Sequence, residues 1–113
     1  MMRTTPAEQR RAHRKRVGTS QEVTDVITCR PIGRLGDLSR GGLMLITPHA
    51  PGNGAIYQLR MELSARDMAS RTIEVGVQAL WHKRVTSSDQ VWAGYRIIAI
   101  SDADADFLDT WLA

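Results

Sequence analysis

Apolar and polar side chains alternate with a period of two along much of this chain, which is typical of a half-buried antiparallel β-strand. The clearest case lies at 57–63, and the same period recurs at 73–81 and 91–100. The first of these segments places on one face Tyr57, Leu59, Met61 and Leu63, and the second places on one face Ile73, Val75, Val77, Ala79 and Trp81. The pattern therefore predicts three strands, and it assigns Trp81 to an inward-facing set.

The segment before residue 57 also has β-type composition, although its period is less regular. Residues 23–28 are rich in β-branched side chains and predict a first strand that starts near residue 21. Residues 34–39 predict a short extended segment, and 43–47 predict a buried strand that ends at Pro48. Five or six antiparallel strands result, and in so short a chain they would most simply close into a small barrel.

The last residues predict one short α-helix, at about 102–112. Ser101 is a suitable N-cap, and acidic residues follow it in the first turn. An apolar stripe is formed by Phe107, Leu108, Trp111 and Leu112. Because the strand at 91–100 carries apolar side chains on both faces, we expect this helix to cover its outer side.

Residues 1–20 have few large apolar side chains and no sustained period, so they predict a mobile arm that precedes a domain at 21–113. The net charge is +3. Residues 1–16 hold six basic side chains and one acidic side chain, net +5, which leaves net −2 for the other 97 residues. A cationic arm favours phosphate, nucleic acid, an anionic membrane surface or an acidic partner, and the alternative is a solvated tail that aids solubility.

Other features exclude several classes of protein. Cys29 is the sole cysteine, so neither an intramolecular disulfide nor a cysteine zinc cluster is expected. The three histidines lack metal-ligand spacing, and no nucleophile, base and orienting group occur together, so we expect neither a metal nor an enzyme. No apolar run approaches the roughly 20 residues of a membrane span, and no secretory signal is present, so the expected location is cytoplasmic.

Two polar motifs stand out from this background. Arginines 10, 11, 14 and 16 crowd the arm, and the turn-like segment 37–42 reads Asp-Leu-Ser-Arg-Gly-Gly. The first motif offers guanidinium forks, and the second offers a carboxylate, a hydroxyl and glycine backbone at close spacing. Together they predict the two sides of a site for an anionic ligand that also has base edges.

The order and spacing of these motifs resemble the PilZ domain family. Its arginine motif, R-x-x-x-R, is matched by Arg10 and Arg14, and its [DN]-x-S-x-x-G motif is matched by Asp37, Ser39 and Gly42. A second register of the arginine motif, with Arg11 followed by Lys15, remains open. The resemblance covers nearly the whole chain and implies an all-β fold, a six-stranded antiparallel split β-barrel with a C-terminal helix.

The resemblance also implies a non-catalytic receptor for cyclic di-GMP, with no cofactor. Arginine can pair with phosphate or with guanine O6 and N7, and an aspartate can accept from guanine N1 and N2. The ligand-binding residues that it implies are Arg10, Arg11, Arg14, Asp37, Ser39, Gly41, Gly42 and Trp81. For Trp81, stacking on a guanine competes with core packing, and for Asp37 and Ser39 local turn chemistry is a further role.

Several questions stay open at this level. The family implies a downstream protein effector, with motility, adhesion or polysaccharide export as possible outputs, and either one ligand or a stacked pair in the site. Two alternatives are a PilZ-fold adaptor that binds no nucleotide, and nonspecific nucleic-acid binding by the arm. Nonspecific nucleic-acid binding would have an affinity that falls steeply with salt concentration.

Overall fold

The computed structural model describes the backbone of residues 15–65 and 68–113, and the side chains of 21–64 and 68–113. The predicted arginines 10, 11 and 14 lie outside the described residues. Within these described residues, six strands are followed by one helix. The strands are β1 (Lys15–Asp25), β2 (Arg30–Leu38), β3 (Gly42–Thr47), β4 (Ile56–Ala65), β5 (Met68–Arg84) and β6 (Val91–Ile100), and the helix is α1 (Asp102–Leu112).

All neighbouring strands are antiparallel, and they close into a barrel in the order β1, β2, β3, β6, β5, β4. Closure occurs because β1 pairs with β2 along one edge and with β4 along the other, where Val23 faces Met61. Closing the sheet removes the unpaired edges that would otherwise invite aggregation. The predicted all-β barrel with a C-terminal helix is confirmed.

The barrel interior holds the apolar face of each strand. The predicted inward set of 57–63 is buried except for Tyr57, which is half-buried, and β5 is buried from Ile73 to Ala79 at alternate positions. Other fully buried members of this core are Leu38, Leu43, Leu45 and Ala93. A period of two in the sequence thus translates directly into one face of a closed sheet.

Helix α1 begins as predicted, since the Ser101 hydroxyl accepts a hydrogen bond from the Asp104 amide at 3.1 Å. Its buried side chains include Leu108 and Trp111, and the Trp111 indole N–H donates to the Ser64 carbonyl at 3.0 Å. The Asp104 carboxylate accepts from the Arg71 guanidinium and from the Glu74 amide. These contacts fix the helix against β4 and β5.

That position corrects the expectation that the helix covers the outer side of β6. Ile98, on that side, remains 44% exposed. The polar contacts of Asp104 and Trp111 with β5 and β4 account for the difference, because they hold the helix beside those two strands. The register with β5 explains the apolar residues on both faces of β6: Ile98 is an extra residue, and this bulge shifts the alternation so that Ile97 and Ile100 both pack against the core.

Both ends of the first strand also differ from the prediction. Strand β1 begins at Lys15, so residues 15–20, which the polarity pattern places in the arm, form part of the sheet. Residues 26–29 form a turn, not strand, because the Asp25 carboxylate accepts from the Ile27 amide and the Asp25 carbonyl accepts from the Cys29 amide. At the start of β1, backbone pairing with β2 extends the strand beyond the predicted boundary. At its end, the hydrogen bonds of Asp25 form a turn in spite of the β-branched side chains.

Candidate functional site

The segment between β2 and β3 forms a tight, internally bonded turn. The Ser39 amide donates to the Gly42 carbonyl at 2.8 Å, and the Ser39 hydroxyl donates to the same carbonyl at 3.1 Å. That hydroxyl also accepts from the Gly42 amide at 3.1 Å. Because Ser39 is only 6% exposed and its one donor proton is used, its visible role is to fix the turn that follows Asp37.

The two glycines of this turn have different requirements. A Cβ on Gly42 would lie 2.6 Å from the Tyr95 carbonyl oxygen, so β3 and β6 approach too closely there for any other residue. A Cβ on Gly41 would meet nothing within 4 Å. The Gly41 carbonyl accepts from the Ile97 amide at 2.9 Å, which anchors the turn to β6. Close approach at Gly42 is therefore a packing requirement of the barrel.

The register of four strands places Asp37 and Trp81 in one row. Asp37 faces Met44, Met44 faces Gly94, and Gly94 faces Trp81. Directly opposed residues of antiparallel strands project to the same face, so this row lies on the outer surface of the barrel. With strands about 4.8 Å apart, its ends are roughly 14 Å apart. On the other side of Asp37, the backbone of Arg16 in β1 is its partner.

The position of Trp81 corrects the interpretation that it packs in the core. Ala79 pairs with Tyr95 and Trp81 pairs with Gly94, so Leu80 is an extra residue in β5. This β-bulge reverses the alternation, and Trp81 projects outward with 48% of its surface exposed. Its indole occupies the space that a side chain on Gly94 would take.

The chain enters the described region beside this row. Lys15 pairs with Leu38 and Arg16 pairs with Asp37, so residues 15 and 16 adjoin the second motif in the backbone register. The residues that directly follow Arg14 in the sequence are therefore adjacent to the second motif. Where the guanidinium groups of the arm lie is outside what the structure describes.

Two further arginines near the turn were not among the predicted site residues. Arg40, within the turn, forms an ion pair with Asp109 of α1 at 2.9 Å. Arg96 in β6 pairs in register with Gly42, and its guanidinium donates to the Gln78 side-chain oxygen at 2.8 Å. A charged residue at an outward position of an otherwise apolar strand was the available signal for Arg96.

Beneath this face, Tyr95 projects into the barrel and contacts Tyr57 edge to face, with ring centroids 6.0 Å apart. Burial, followed by the proximity of Tyr57, raises the pKa of Tyr95 to about 12. Its phenol is therefore neutral at physiological pH. Over residues 15–65 and 68–113, no group of three or more His, Cys, Asp and Glu side chains is arranged to hold a metal ion.

Comparison with known proteins assigns the family. The PilZ domain model matches residues 8–113, a range that includes both motifs. The chain belongs to the PilZ domain family. No curated protein matches this PilZ domain in sequence.

Two solved structures share the fold of this PilZ domain. The Bacillus subtilis inhibitor of motility (MotI/DgrA) superposes with a TM-score of 0.71 at 15% identity, and the match covers 88% of this chain and 46% of that protein. The PilZ domain of YcgR from Escherichia coli, solved with c-di-GMP, superposes with a TM-score of 0.61 at 15% identity. The match covers 88% of this chain and 85% of that domain. This chain thus spans about half the length of the Bacillus protein. In the part of the chain that is described, no helix has the length and apolar character to cross a bilayer.

Proposed function

We propose that this PilZ domain is a non-catalytic receptor for cyclic di-GMP. The ligand lies on the outer face of the barrel, across the row that runs from Asp37 to Trp81. The arginine motif, with Arg10 and Arg14, supplies guanidinium forks to the phosphates and to a guanine edge. Arg11 adds charge from the same arm.

The register of Asp37 with Trp81 is the observation that supports this proposal most strongly. It puts a carboxylate, which accepts from guanine N1 and N2, and an exposed indole, on which a base stacks, on one surface. Ser39 and Gly42 act mainly through the turn that holds Asp37 in place, while Gly41 leaves open space beside it. A dinucleotide with two purines and two phosphates has the chemistry that such a surface requires.

In this mechanism the arm is mobile in the free protein and becomes ordered over the bound ligand. Ordering costs roughly 1 to 2 kcal/mol per residue fixed, so the charge-assisted hydrogen bonds of the arginines must exceed that cost. Since residues 1–14, which precede β1, carry net +3, ordering them changes the charge distribution beside β2. A downstream protein effector reads this change.

Isothermal titration calorimetry with cyclic di-GMP tests the assignment. We expect Arg14→Ala and Asp37→Ala each to weaken binding at least about tenfold. Matched controls are Arg3→Ala, in the arm but outside the motif, and Asp106→Ala, on an exposed position of α1. Unchanged affinity in both motif variants contradicts the proposal.

The same titration resolves the questions that the sequence leaves open. Arg11→Ala and Lys15→Ala, compared with Arg10→Ala and Arg14→Ala, identify the register of the arginine motif. The stoichiometry separates one ligand from a stacked pair. Competition with GMP and single-stranded DNA at physiological salt separates a specific receptor from nonspecific phosphate binding, which weakens steeply with salt. If the wild-type chain does not bind cyclic di-GMP, the adaptor function is favoured instead.

A further inference from the structure

We infer that Arg96 is an additional ligand-binding residue of this face, held in position by Gln78. This inference rests on the proposed function and adds to it a cation on the barrel wall. Arg96 belongs to neither of the two motifs. Its guanidinium donates two hydrogen bonds to paired acceptor atoms of the dinucleotide, either two phosphate oxygens or guanine O6 and N7.

The position of Arg96 in the sheet is the first argument. It pairs in register with Gly42, the last residue of the second motif, and it follows Gly94 by two residues on the same outer face. The adjacent Ile97 amide donates to the Gly41 carbonyl at 2.9 Å, so a hydrogen bond joins the turn to this part of β6. The Cα atoms of Asp37 and Arg96 are separated by two strand spacings and two residues, roughly 12 Å, which two side chains and a ligand can span.

The relation of Arg96 to Trp81 is the second argument. Trp81 faces Gly94, and Arg96 is therefore its diagonal neighbour across the β5–β6 pair. Diagonal neighbours in antiparallel strands are about 7 to 8 Å apart and are within reach of long side chains. A base stacked on the Trp81 indole would present its polar edges or its attached phosphate near the Arg96 fork.

The charge of Arg96 is the third argument. Arg40, Arg60 and Arg71 are each paired with a carboxylate, and those bonds offset their charge. Arg96 instead donates to the neutral amide of Gln78 at 2.8 Å. This bond fixes the guanidinium without neutralising it.

Gln78 is itself held, because its amide group donates to the Gly54 carbonyl at 3.4 Å. The chain of contacts from Gly54 through Gln78 to Arg96 orients the fork before any ligand arrives. A preorganised side chain loses less rotamer entropy on binding, which favours affinity. Residues 17–113, which include the helix and most of the barrel, carry net −2. An anionic ligand that binds the barrel wall therefore needs a local cation such as Arg96.

Calorimetric titration of four chains with cyclic di-GMP tests the inference: wild type, Arg96→Ala, Arg96→Lys and Arg60→Ala. Arg60 is the matched control, because it is an exposed arginine of β4 whose bonded partner is Glu74. We expect Arg96→Ala to weaken binding about tenfold or more, and Arg60→Ala to change it less than about twofold. Arg96→Lys keeps the charge but loses the fork, so its affinity should fall between wild type and Arg96→Ala. Circular dichroism melting of each variant checks that it is folded.

Two further arms identify the acceptor and the role of Gln78. Cyclic di-AMP serves as the comparison ligand. If Arg96→Ala lowers the affinity for both nucleotides equally, Arg96 binds phosphate; if it lowers the affinity for cyclic di-GMP more, Arg96 binds guanine. Either result supports the contact. Gln78→Ala should weaken binding less than Arg96→Ala and leave the salt dependence of affinity unchanged, whereas Arg96→Ala should reduce that dependence. If the wild type binds and Arg96→Ala binds as tightly as Arg60→Ala, the inference is overturned while the receptor function stands. If the wild type does not bind cyclic di-GMP, both the Arg96 inference and the proposed receptor function are contradicted.

Discussion

The indole of Trp81 occupies the space that a side chain at Gly94 would fill, on the outer wall of the barrel. The glycine permits this placement because it has no Cβ, and the bulge at Leu80 turns the indole outward. The same row continues through Met44 to Asp37. An aromatic surface and a carboxylate are thereby fixed to one rigid face by the backbone register.

Replacing Trp81 with alanine should weaken cyclic di-GMP binding. Loss of base stacking costs roughly 1 to 3 kcal/mol, which corresponds to about 5- to 150-fold in affinity. Calorimetric titration measures the change. The matched control is Trp92→Ala, because Trp92 is also an exposed tryptophan, at 43%, on the side of Gly94 away from Arg96. Equal affinities in the two variants would contradict a stacking role for Trp81.

Alanine substitutions at the two glycines of the turn should differ in their effect on stability. Gly42→Ala puts a Cβ 2.6 Å from the Tyr95 carbonyl oxygen, so β3 and β6 must separate, and we expect the free energy of unfolding to fall by about 1 to 3 kcal/mol. Gly41→Ala meets open space and should change stability by less than about 0.5 kcal/mol. Urea denaturation of both variants measures this. Similar losses in both would contradict the difference in available space at the two glycines.

The docking of helix α1 should depend strongly on Asp104. Its carboxylate accepts hydrogen bonds from Arg71 and from the Glu74 amide, and its side chain is 13% exposed. Asp104→Ala should lower the free energy of unfolding by about 2 to 3 kcal/mol, because hydrogen bonds to charged groups are lost at a partly buried site. Asp106→Ala, on the exposed side of the same helix, should cost much less. Thermal melts of the two variants compare them, and equal melting temperatures would refute the role of Asp104.

Stability should fall at high pH because of Tyr95. Burial raises its pKa to about 12 in the folded state, above the ordinary value of 10.0. Between these values the unfolded chain loses the phenol proton and the folded chain keeps it, so the free energy of unfolding decreases as the pH rises through this range. Below about pH 10 the group contributes no pH dependence.

Denaturation curves of wild type and Tyr95→Phe, recorded at about pH 9 and about pH 11, isolate this contribution. The phenylalanine variant keeps the ring and its edge-to-face contact with Tyr57 but has no ionisable group. We expect the wild type to lose more stability than Tyr95→Phe between the two pH values. Parallel loss in both chains would mean that other groups account for the effect.

The sequence predicts those parts of the fold in which side chains alone decide the structure. The period of two at 57–63 and the capped apolar stripe that follows Ser101 both appear in the structure, and the predicted apolar side chains of each are buried or half-buried. In these segments local propensity, capping and burial favour the same conformation. The order of the two motifs likewise indicates the family, which the match over residues 8–113 confirms.

The remainder depends on backbone events that leave no clear pattern in the sequence. A single extra residue, Leu80, reverses the face of Trp81, and strict alternation cannot reveal it. The β-branched run at 26–28 bends into a turn because Asp25 bonds to the following amides and Cys29 adopts a φ of 59°. Likewise, Arg96 joins the candidate site only through its pairing with Gly42, a contact between residues 54 positions apart.

The central claim is that the nucleotide lies across β2, β3, β6 and β5 on the outer wall, and mapping of backbone amide NMR shifts during a titration with cyclic di-GMP tests it most directly. We expect the largest shifts at residues 37–42, at Trp81 and at 94–97. The opposite result would be shifts clustered in the groove of about 360 Å³ that Pro31, Gly33 and Pro48 line, with the Asp37 row unchanged. That outcome would contradict the account.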